Sequence, residues 1–183
     1  TAVTQAPGVP VETVRIATNL PTVTTIADDG TGLPGAVVSD SIEISGMGAA
    51  TADYTWNLLG PVAAINDSCA TVVWTGAPTL ATGLLAGLGN GTHTTPTTTL
   101  SAVGCYTYTG SLAASATTDP VTLNPGDLNE TFLIDAFEPT VTTVATAATQ
   151  PGGSTTDAVT VSGSGGVTTT YSWTLVFAQP DGT

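Results

Sequence analysis

The sequence predicts an all-β protein in which one domain is repeated along the chain. Three observations lead to this prediction. Threonine makes up about a fifth of the residues, and Val, Gly, Ala and Ser are also frequent, a composition that suits strands and turns better than helices. No segment keeps a helical period over three turns. Several stretches of sequence also recur at a nearly constant offset, which is the signature of a repeat architecture.

Runs of alternating apolar residues, bounded by glycine and proline, predict the individual strands. In chain order, the expected strands are Thr22–Ala27, Val37–Ser45, Tyr54–Leu59, Thr71–Thr75, Cys105–Thr109, Leu112–Thr117 and Glu130–Ile134. The glycine and proline clusters between them are expected to form turns. A set of about seven to nine short strands in a domain of this length is typical of an immunoglobulin-like β-sandwich.

The repeat has a period of about 118 residues. VTQAPGVPVETVRI, Val3–Ile16, matches VTLNPGDLNETFLI, Val121–Ile134, at an offset of 118, and PTVTTIA from Pro21 matches PTVTTVA from Pro139 at the same offset. SDSIEISG from Ser39 matches TDAVTVSG from Thr156, and YTWNLL from Tyr54 matches YSWTLV from Tyr171, both at 117. We therefore expect residues 1–16 to be the last strand of one repeat, 17–134 a complete repeat, and 135–183 the first part of the next. The chain is then a window from a longer tandem array.

The charge balance excludes several classes of function. The chain has 14 acidic residues and a single basic one, Arg15, so its formal net charge is −13. Binding to nucleic acid or to anionic membranes requires basic residues that this chain lacks. No apolar run is long enough to span a bilayer, so we expect no membrane insertion in this segment. The composition is typical of an acidic extracellular protein.

The two cysteines predict one disulfide. Cys69 and Cys105 enclose 35 residues of a chain of extracellular type, where such pairs are usually oxidised. Closing a loop of this size stabilises a fold by about 3–4 kcal/mol in the chain-entropy model. Zinc is the weaker alternative, because the two cysteines and the lone His93 cannot complete a tetrahedral site without carboxylates from elsewhere.

Strand alternation places three polar side chains on faces that otherwise carry apolar residues. Thr25 shares a face with Val23 and Ala27, Asp40 with Ile42 and Ile44, and Glu130 with Phe132 and Ile134. Two hypotheses make this acceptable. The carboxyls are either buried, hydrogen-bonded and raised in pKa, or they form an autocatalytic ester. In the ester, Thr25 is the nucleophile, Glu130 the acyl group and Asp40 the proton shuttle. A lysine isopeptide is excluded because the chain has no lysine.

The same residues give the chain a resemblance to a known family. The stretches TTIADDGTG, VVSDSIEISGM and YTWNLLG, followed by NETFLI, resemble surface-anchored adhesin and stalk repeats of Gram-positive bacteria of the actinobacterial type, notably the Thr–Gln ester-bond repeat family. Thr25-x-Ala27, Asp40 and Glu130-Thr131 occupy the places of the family's motifs on its first, second and last strands. The resemblance implies an ester between first and last strands, with Glu130 standing where the family has glutamine.

These observations favour a structural module that gives reach and mechanical strength to a bacterial surface stalk, fibre or adhesin. Its partners would be neighbouring repeats, other copies in a fibre, and a host or cell-surface ligand, and its location would be extracellular or attached to the cell wall. One alternative is a glycan- or protein-binding module with an exposed aromatic cluster. Another is a filament assembled by strand exchange. We expect no catalysis on an external substrate and no cofactor, except that Asp28 and Asp29 could contribute to calcium binding.

Overall fold

The computed structural model describes residues 17–146, 150, 153–168 and 170–176. The strand predicted within residues 1–16 lies outside these. In the described ranges the chain forms only strands, turns and irregular segments, so the all-β prediction is confirmed. This part of the chain also contains no helix long and apolar enough to cross a membrane. The chain divides into two compact units, Thr1–Asp135 and Ala136–Thr183.

The first unit contains two antiparallel sheets, and the smaller one is built around β2. Its pairing order is β1-β2-β5, and the short β6 also pairs with β2. Residues of β2 alternate between buried and exposed because one face of the strand packs on the core. The strands of this sheet are β1 (Thr22–Asp28), β2 (Val37–Ser45), β5 (Gly91–Thr94) and β6 (Thr98–Thr99).

The larger sheet is built around β3 and β7. Its pairing order is β4-β3-β7-β8, and β9 pairs with another part of β7. Its strands are β3 (Ala52–Val62), β4 (Thr79–Leu88), β7 (Gly104–Leu112), β8 (Val121–Leu123) and β9 (Thr131–Ile134). β7 has seven of its nine residues buried, because other strands pair along both of its edges. Among the described residues of the unit, the first and last strands are β1 and β9, and they belong to different sheets.

Both sheets contribute side chains to one hydrophobic core, an arrangement consistent with a β-sandwich. Aromatic side chains fill much of it, with Tyr106 stacked on Phe132 and with Trp56 and Phe132 both packed against Tyr108. All six aromatic side chains of the first unit's described residues are buried: Tyr54, Trp56, Trp74, Tyr106, Tyr108 and Phe132. The described surface of this unit therefore offers no aromatic platform of the kind that the ligand-binding alternative requires.

Two predicted strands are wrong. Thr71–Thr75 forms no ladder; it lies in the segment between β3 and β4, where Val72 N–H donates to the Cys69 carbonyl in a turn. Alternation nevertheless identified its inward side chains, because Val72 and Trp74 are buried and Val73 is exposed. Leu112–Thr117 is wrong because β7 ends at Leu112. The sequence also missed β4, a glycine-containing edge strand whose side chains are at most partly buried.

The second unit contains one described hairpin, β10 (Thr140–Ala145) paired with β11 (Asp157–Ser162). Its register is that of β1 and β2 at the offsets found in the sequence: Ala27 pairs with Asp40, and Ala145 pairs with Asp157. The glycines that directly follow the second strand of each hairpin also correspond. Gly46 has φ +79°, and a Cβ there would lie 2.8 Å from the Leu20 carbonyl oxygen. Gly163 has φ +75°, and its Cβ would lie 2.9 Å from the Glu138 carbonyl oxygen.

The corresponding inner faces of the two units differ in exposure. Trp56 is 4% exposed in the first unit, whereas its sequence counterpart Trp173 is 73% exposed in the second. The same holds for Tyr54 and Tyr171, which are 1% and 43% exposed. The apolar face that forms the core in the first unit is thus uncovered among the described residues of the second.

Candidate functional site: a buried carboxyl pair and a disulfide

The structure brings together the three polar residues that alternation placed on inward faces. Thr25 on β1 and Asp40 on β2 lie on neighbouring paired strands, where Thr25 pairs with Ile42 and Ala27 with Asp40. Glu130 directly precedes β9. The exposed fractions are 9% for Thr25, 1% for Asp40 and 3% for Glu130. Two acidic side chains are therefore in the interior of the first unit.

Backbone hydrogen bonds fix the position of Glu130. Its carbonyl accepts from Tyr108 N–H on β7 at 3.1 Å, and its own N–H donates to the Asp127 carbonyl at 3.0 Å. The preceding residue, Asn129, accepts from Ala27 N–H on β1 at 3.0 Å. The chain entering β9 is thus tied to both sheets, and this places the Glu130 side chain beside Thr25 and Asp40.

The carboxyl groups lack the hydrogen bonds that usually accompany buried acids. Among the described residues, Asp40 Oδ1 and both carboxyl oxygens of Glu130 are buried with no partner in normal hydrogen-bond geometry. The Tyr108 hydroxyl beside them is also buried with no partner in normal hydrogen-bond geometry. Only the backbone of Asp40 is well satisfied, since its N–H donates to Thr95 Oγ1 at 2.9 Å and its carbonyl accepts from Thr95 N–H at 3.0 Å. Orphaned buried oxygens of this kind are uncommon and usually mark a functional or strained site.

Burial dominates the electrostatics of the pair. It raises the pKa of Asp40 from 3.8 to about 7, while Glu130 and the backbone of Ile26 act in the opposite direction. Burial also raises the pKa of Glu130 from 4.5 to about 8; the Thr25 hydroxyl opposes this shift, and the Asp40 and Asp127 carboxyls add to it. Both pKa values are raised, so the pair holds on to protons at a pH where free carboxyls are fully ionised.

Two tyrosines complete the surroundings of the pair. Burial raises the pKa of Tyr54 on β3, and the nearby charges of Asp40 and Glu130 add to this. Burial likewise raises the pKa of Tyr108 on β7; the Thr95 hydroxyl opposes the shift and the two carboxyls reinforce it. Sequence reasoning missed Tyr54, Thr95 and Tyr108 as part of this site. Tyrosines on a strand read as core residues, and no local pattern indicates that their hydroxyls face acids on other strands.

A cleft of about 420 Å³ opens beside the pair. Its walls are β1 residues 23–25, β8 residues 122–123, and residues 124–127 and 129–130 of the segment leading into β9. Thr25 and Glu130 form part of the wall, although the carboxyl oxygens of Glu130 are themselves buried. Solvent therefore approaches the pair from this edge of the unit without reaching the Glu130 carboxyl.

The disulfide lies at the start of β7. Cys69 and Cys105 are joined with an S–S distance of 2.02 Å and a Cα–Cα distance of 5.5 Å, as the sequence led us to expect. Together with Val72 and Trp74 they form a second, smaller buried cluster. The bond holds the long segment between β3 and β4 against the central strand of the larger sheet, because Cys105 belongs to β7.

The calcium prediction at Asp28 and Asp29 remains a prediction. Both residues are exposed, Asp28 as the last residue of β1 and Asp29 directly after it. Asp28 Oδ1 accepts from Gly30 N–H at 3.1 Å, and the Asp29 carbonyl accepts from Gly32 N–H in the turn that follows. Within the described ranges no group of three or more His, Cys, Asp or Glu residues is arranged to hold a metal. The turn itself accounts for the contacts that these residues make.

Comparisons of the chain with protein families, curated proteins and solved structures find no match.

Proposed function

We propose that the chain is part of a tandem array of immunoglobulin-like β-sandwich repeats of about 118 residues, and that the array is an extracellular stalk or fibre at a bacterial surface. The observation that supports this most directly is the recurrence of the β1–β2 hairpin as β10–β11, with the same register and with a positive-φ glycine directly after the second strand in both. Tandem copies of one structural unit form an elongated protein whose length is set by the number of copies.

The positions of the covalent and buried groups support a mechanical role. Force along the array enters the first unit through its first and last strands, β1 and β9, which belong to different sheets. Thr25 is on β1 and Glu130 directly precedes β9. A bond between these two side chains would carry the load directly. The disulfide protects a further 36-residue span, the sequence separation of Cys69 and Cys105.

We propose that this bond is an ester between Thr25 and Glu130. The Thr25 Oγ attacks the carboxyl carbon of protonated Glu130, and ionised Asp40 accepts the hydroxyl proton of Thr25 and returns it to the departing hydroxyl. An ester forms and one water is released, so no oxidant or cofactor is required. The raised pKa values of both carboxyls support this chemistry, because they keep a protonated carboxyl available as acyl group near neutral pH.

Intact mass spectrometry of the reduced, denatured chain tests the ester. We expect the wild-type mass to be lower than the sequence mass by one water, with a cross-linked peptide that contains Thr25 and Glu130. The matched control is Thr25→Val, which keeps the shape of the side chain and removes the nucleophile; its mass should be complete. A complete mass for the wild-type chain would exclude the ester and leave the disulfide as the covalent brace.

Force spectroscopy on the whole chain, held by its two ends, tests the mechanical role. In Thr25→Val we expect a force peak when the first unit unfolds, followed by extension of the unfolded chain. Reduction of the disulfide should lengthen this extension by about 120–130 Å, because each of the residues within the disulfide loop adds roughly 3.3–3.6 Å. In an ester-linked wild-type chain the same step should be absent. Extension of Thr25→Val without a force peak would contradict a load-bearing function, whatever the mass measurement shows.

A further inference from the structure

We propose that Asp40 and Glu130, when not esterified, form a proton-sharing latch that holds the two sheets together at the β1–β9 edge and opens when both carboxyls ionise. This inference goes beyond the mechanical function, because it concerns how the same edge responds to pH. It also applies to any fraction of the chain in which Thr25 and Glu130 remain unlinked.

The pair spans the two sheets. Asp40 is in β2, the central strand of the smaller sheet. Glu130 directly precedes β9, which pairs with β7 in the larger sheet. Both side chains are almost fully buried, and three of their carboxyl oxygens have no partner in normal hydrogen-bond geometry, although the Glu130 carboxyl interacts with Asp40 and with the Thr25 hydroxyl. A proton held between the two carboxyls supplies the missing bond and removes the repulsion between them. Loss of that proton leaves two like charges facing each other across the core.

Among the residues that the structure describes, no lysine or arginine lies near the pair. The ionisable groups around it are Asp28 from β1, Asp127 from the segment before β9, Tyr54 from β3 and Tyr108 from β7. None of them is cationic at neutral pH. His93 on β5 pairs across from Ile42, and its Nε2 contacts the Gly89 carbonyl. The only lysine or arginine of the chain is Arg15, outside the described residues. Ionisation of both acids is thus opposed by burial and by surrounding negative charge.

The edge where the pair lies is also the place where the unit can open. The cleft lies between β1 and the segment leading into β9, and Thr25 and Glu130 are among the residues that line it. The backbone link at this point is the hydrogen bond from Ala27 N–H to the Asn129 carbonyl. Separation of β1 from this segment would admit water to the carboxylates. Ionisation is therefore expected to open this edge before it affects β3 and β4, which pair over most of their length.

The test uses the full chain with Thr25→Val, which cannot form the ester, and compares it with Thr25→Val/Glu130→Gln, in which residue 130 cannot ionise. Urea unfolding is followed between pH 5 and pH 9. In Thr25→Val we expect the unfolding equilibrium constant to rise by up to about tenfold per pH unit for each carboxyl that keeps its proton in the folded state. In the double variant this rise should shrink to at most the contribution of Asp40. Equal pH profiles for the two variants would overturn the latch.

Two further measurements keep the test decisive if the double variant does not fold. Carbon NMR of Thr25→Val should show the Asp40 and Glu130 carboxyls titrating well above the ordinary carboxyl range, and titration of both near pH 4 would overturn the proposal. Hydrogen-exchange protection factors should fall selectively at the Ala27 and Tyr108 amides as pH rises, with the β3–β4 amides as control. Uniform protection across the pH range would also overturn it. Because every arm uses an ester-free chain, failure of the latch is distinguishable from failure of the ester.

Discussion

Asp40 and Glu43 show how position on one strand decides what a carboxyl does. Both belong to β2, but Asp40 faces the core and Glu43 faces solvent, where it accepts a hydrogen bond from the Thr92 hydroxyl. Burial raises the pKa of Asp40 to about 7, and Glu130 behaves similarly, with a pKa of about 8. The folded chain therefore keeps protons that the unfolded chain has lost between about pH 4 and pH 8.

The first prediction follows from this difference. Stability should fall as pH rises from about 4 to about 8 and then level off, because the folded-state pKa values lie above the unfolded ones. In the ester-free Thr25→Val background, Asp40→Asn removes one of the two charges. At pH 9 we therefore expect the double variant to be more stable than Thr25→Val by at least about 1–3 kcal/mol, the typical cost of an unsatisfied buried polar group, which is larger for a charge. At pH 5 the difference should be small. Chemical denaturation at both pH values measures it.

The control for this prediction is Glu43→Gln on the exposed face of the same strand. Substitutions at such surface positions usually change stability by less than about 0.5 kcal/mol, and no pH-dependent difference from wild type is expected. If Glu43→Gln and Asp40→Asn shifted the pH profile alike, general charge reduction rather than burial would be responsible. An ester-linked wild type would show a weaker pH dependence, since Glu130 would no longer titrate.

At the scale of elements, β7 organises the first unit. It pairs with β3 on one side and with β8 and β9 on the other, and it supplies Cys105, Tyr106 and Tyr108 to the interior. The segment between β3 and β4 forms no ladder of its own in the described structure. Its attachment depends on the disulfide and on burial of Val72 and Trp74. The disulfide therefore takes the place of strand pairing here.

The second prediction concerns this attachment. Replacing both Cys69 and Cys105 by alanine should lower the free energy of unfolding by about 3–4 kcal/mol, because the unfolded chain regains the entropy of a 36-residue loop. Urea denaturation of wild type and variant measures the difference. A reducing agent should destabilise wild type by a similar amount and leave the double variant unaffected. Equal stability of the oxidised wild type and the variant would mean that packing of Trp74 alone holds the segment.

At the scale of the whole molecule, the charge of the chain is nearly all of one sign. The formal net charge is −13, and there is one basic residue in 183. Such a surface remains soluble, but its like charges repel one another and destabilise the compact state. Salt screens this repulsion, since the Debye length shortens from about 30 Å at 0.01 M to about 3 Å at 1 M.

The third prediction is that stability increases with ionic strength. Raising NaCl from about 0.01 M to about 0.5 M should increase Tm by about 2–5 °C, as expected for a gain near 1 kcal/mol. Thermal unfolding followed by circular dichroism measures it, and an unchanged Tm would contradict a repulsive surface.

Calcium chloride and magnesium chloride at equal ionic strength separate screening from binding. A larger, saturable effect of calcium that is lost in Asp28→Asn/Asp29→Asn would identify a calcium site at this turn.

Much of the first unit could be predicted from the sequence because the deciding information is local. Alternation gave β1 and β2, parts of β3, β7 and β9, and the inward faces of Thr25, Asp40 and Glu130, since side chains on a strand point alternately to opposite sides. The Cys69–Cys105 pairing followed from there being two cysteines in an extracellular type of chain. The register of the second hairpin also follows the sequence offsets, because the paired strands themselves carry matching sequences.

Only the tertiary structure decided which of these local patterns acquire partners. TVVWT, Thr71–Thr75, has the composition and alternation of a strand, yet no strand of the described residues pairs with it. The glycine-containing β4 is a strand because β3 offers its edge to it. Thr95 and Tyr108 join the carboxyl site through strands distant in sequence. A strand and a buried polar site both depend on groups from distant parts of the chain. A local sequence pattern therefore determines which side of a strand a side chain lies on, but not which residues it contacts.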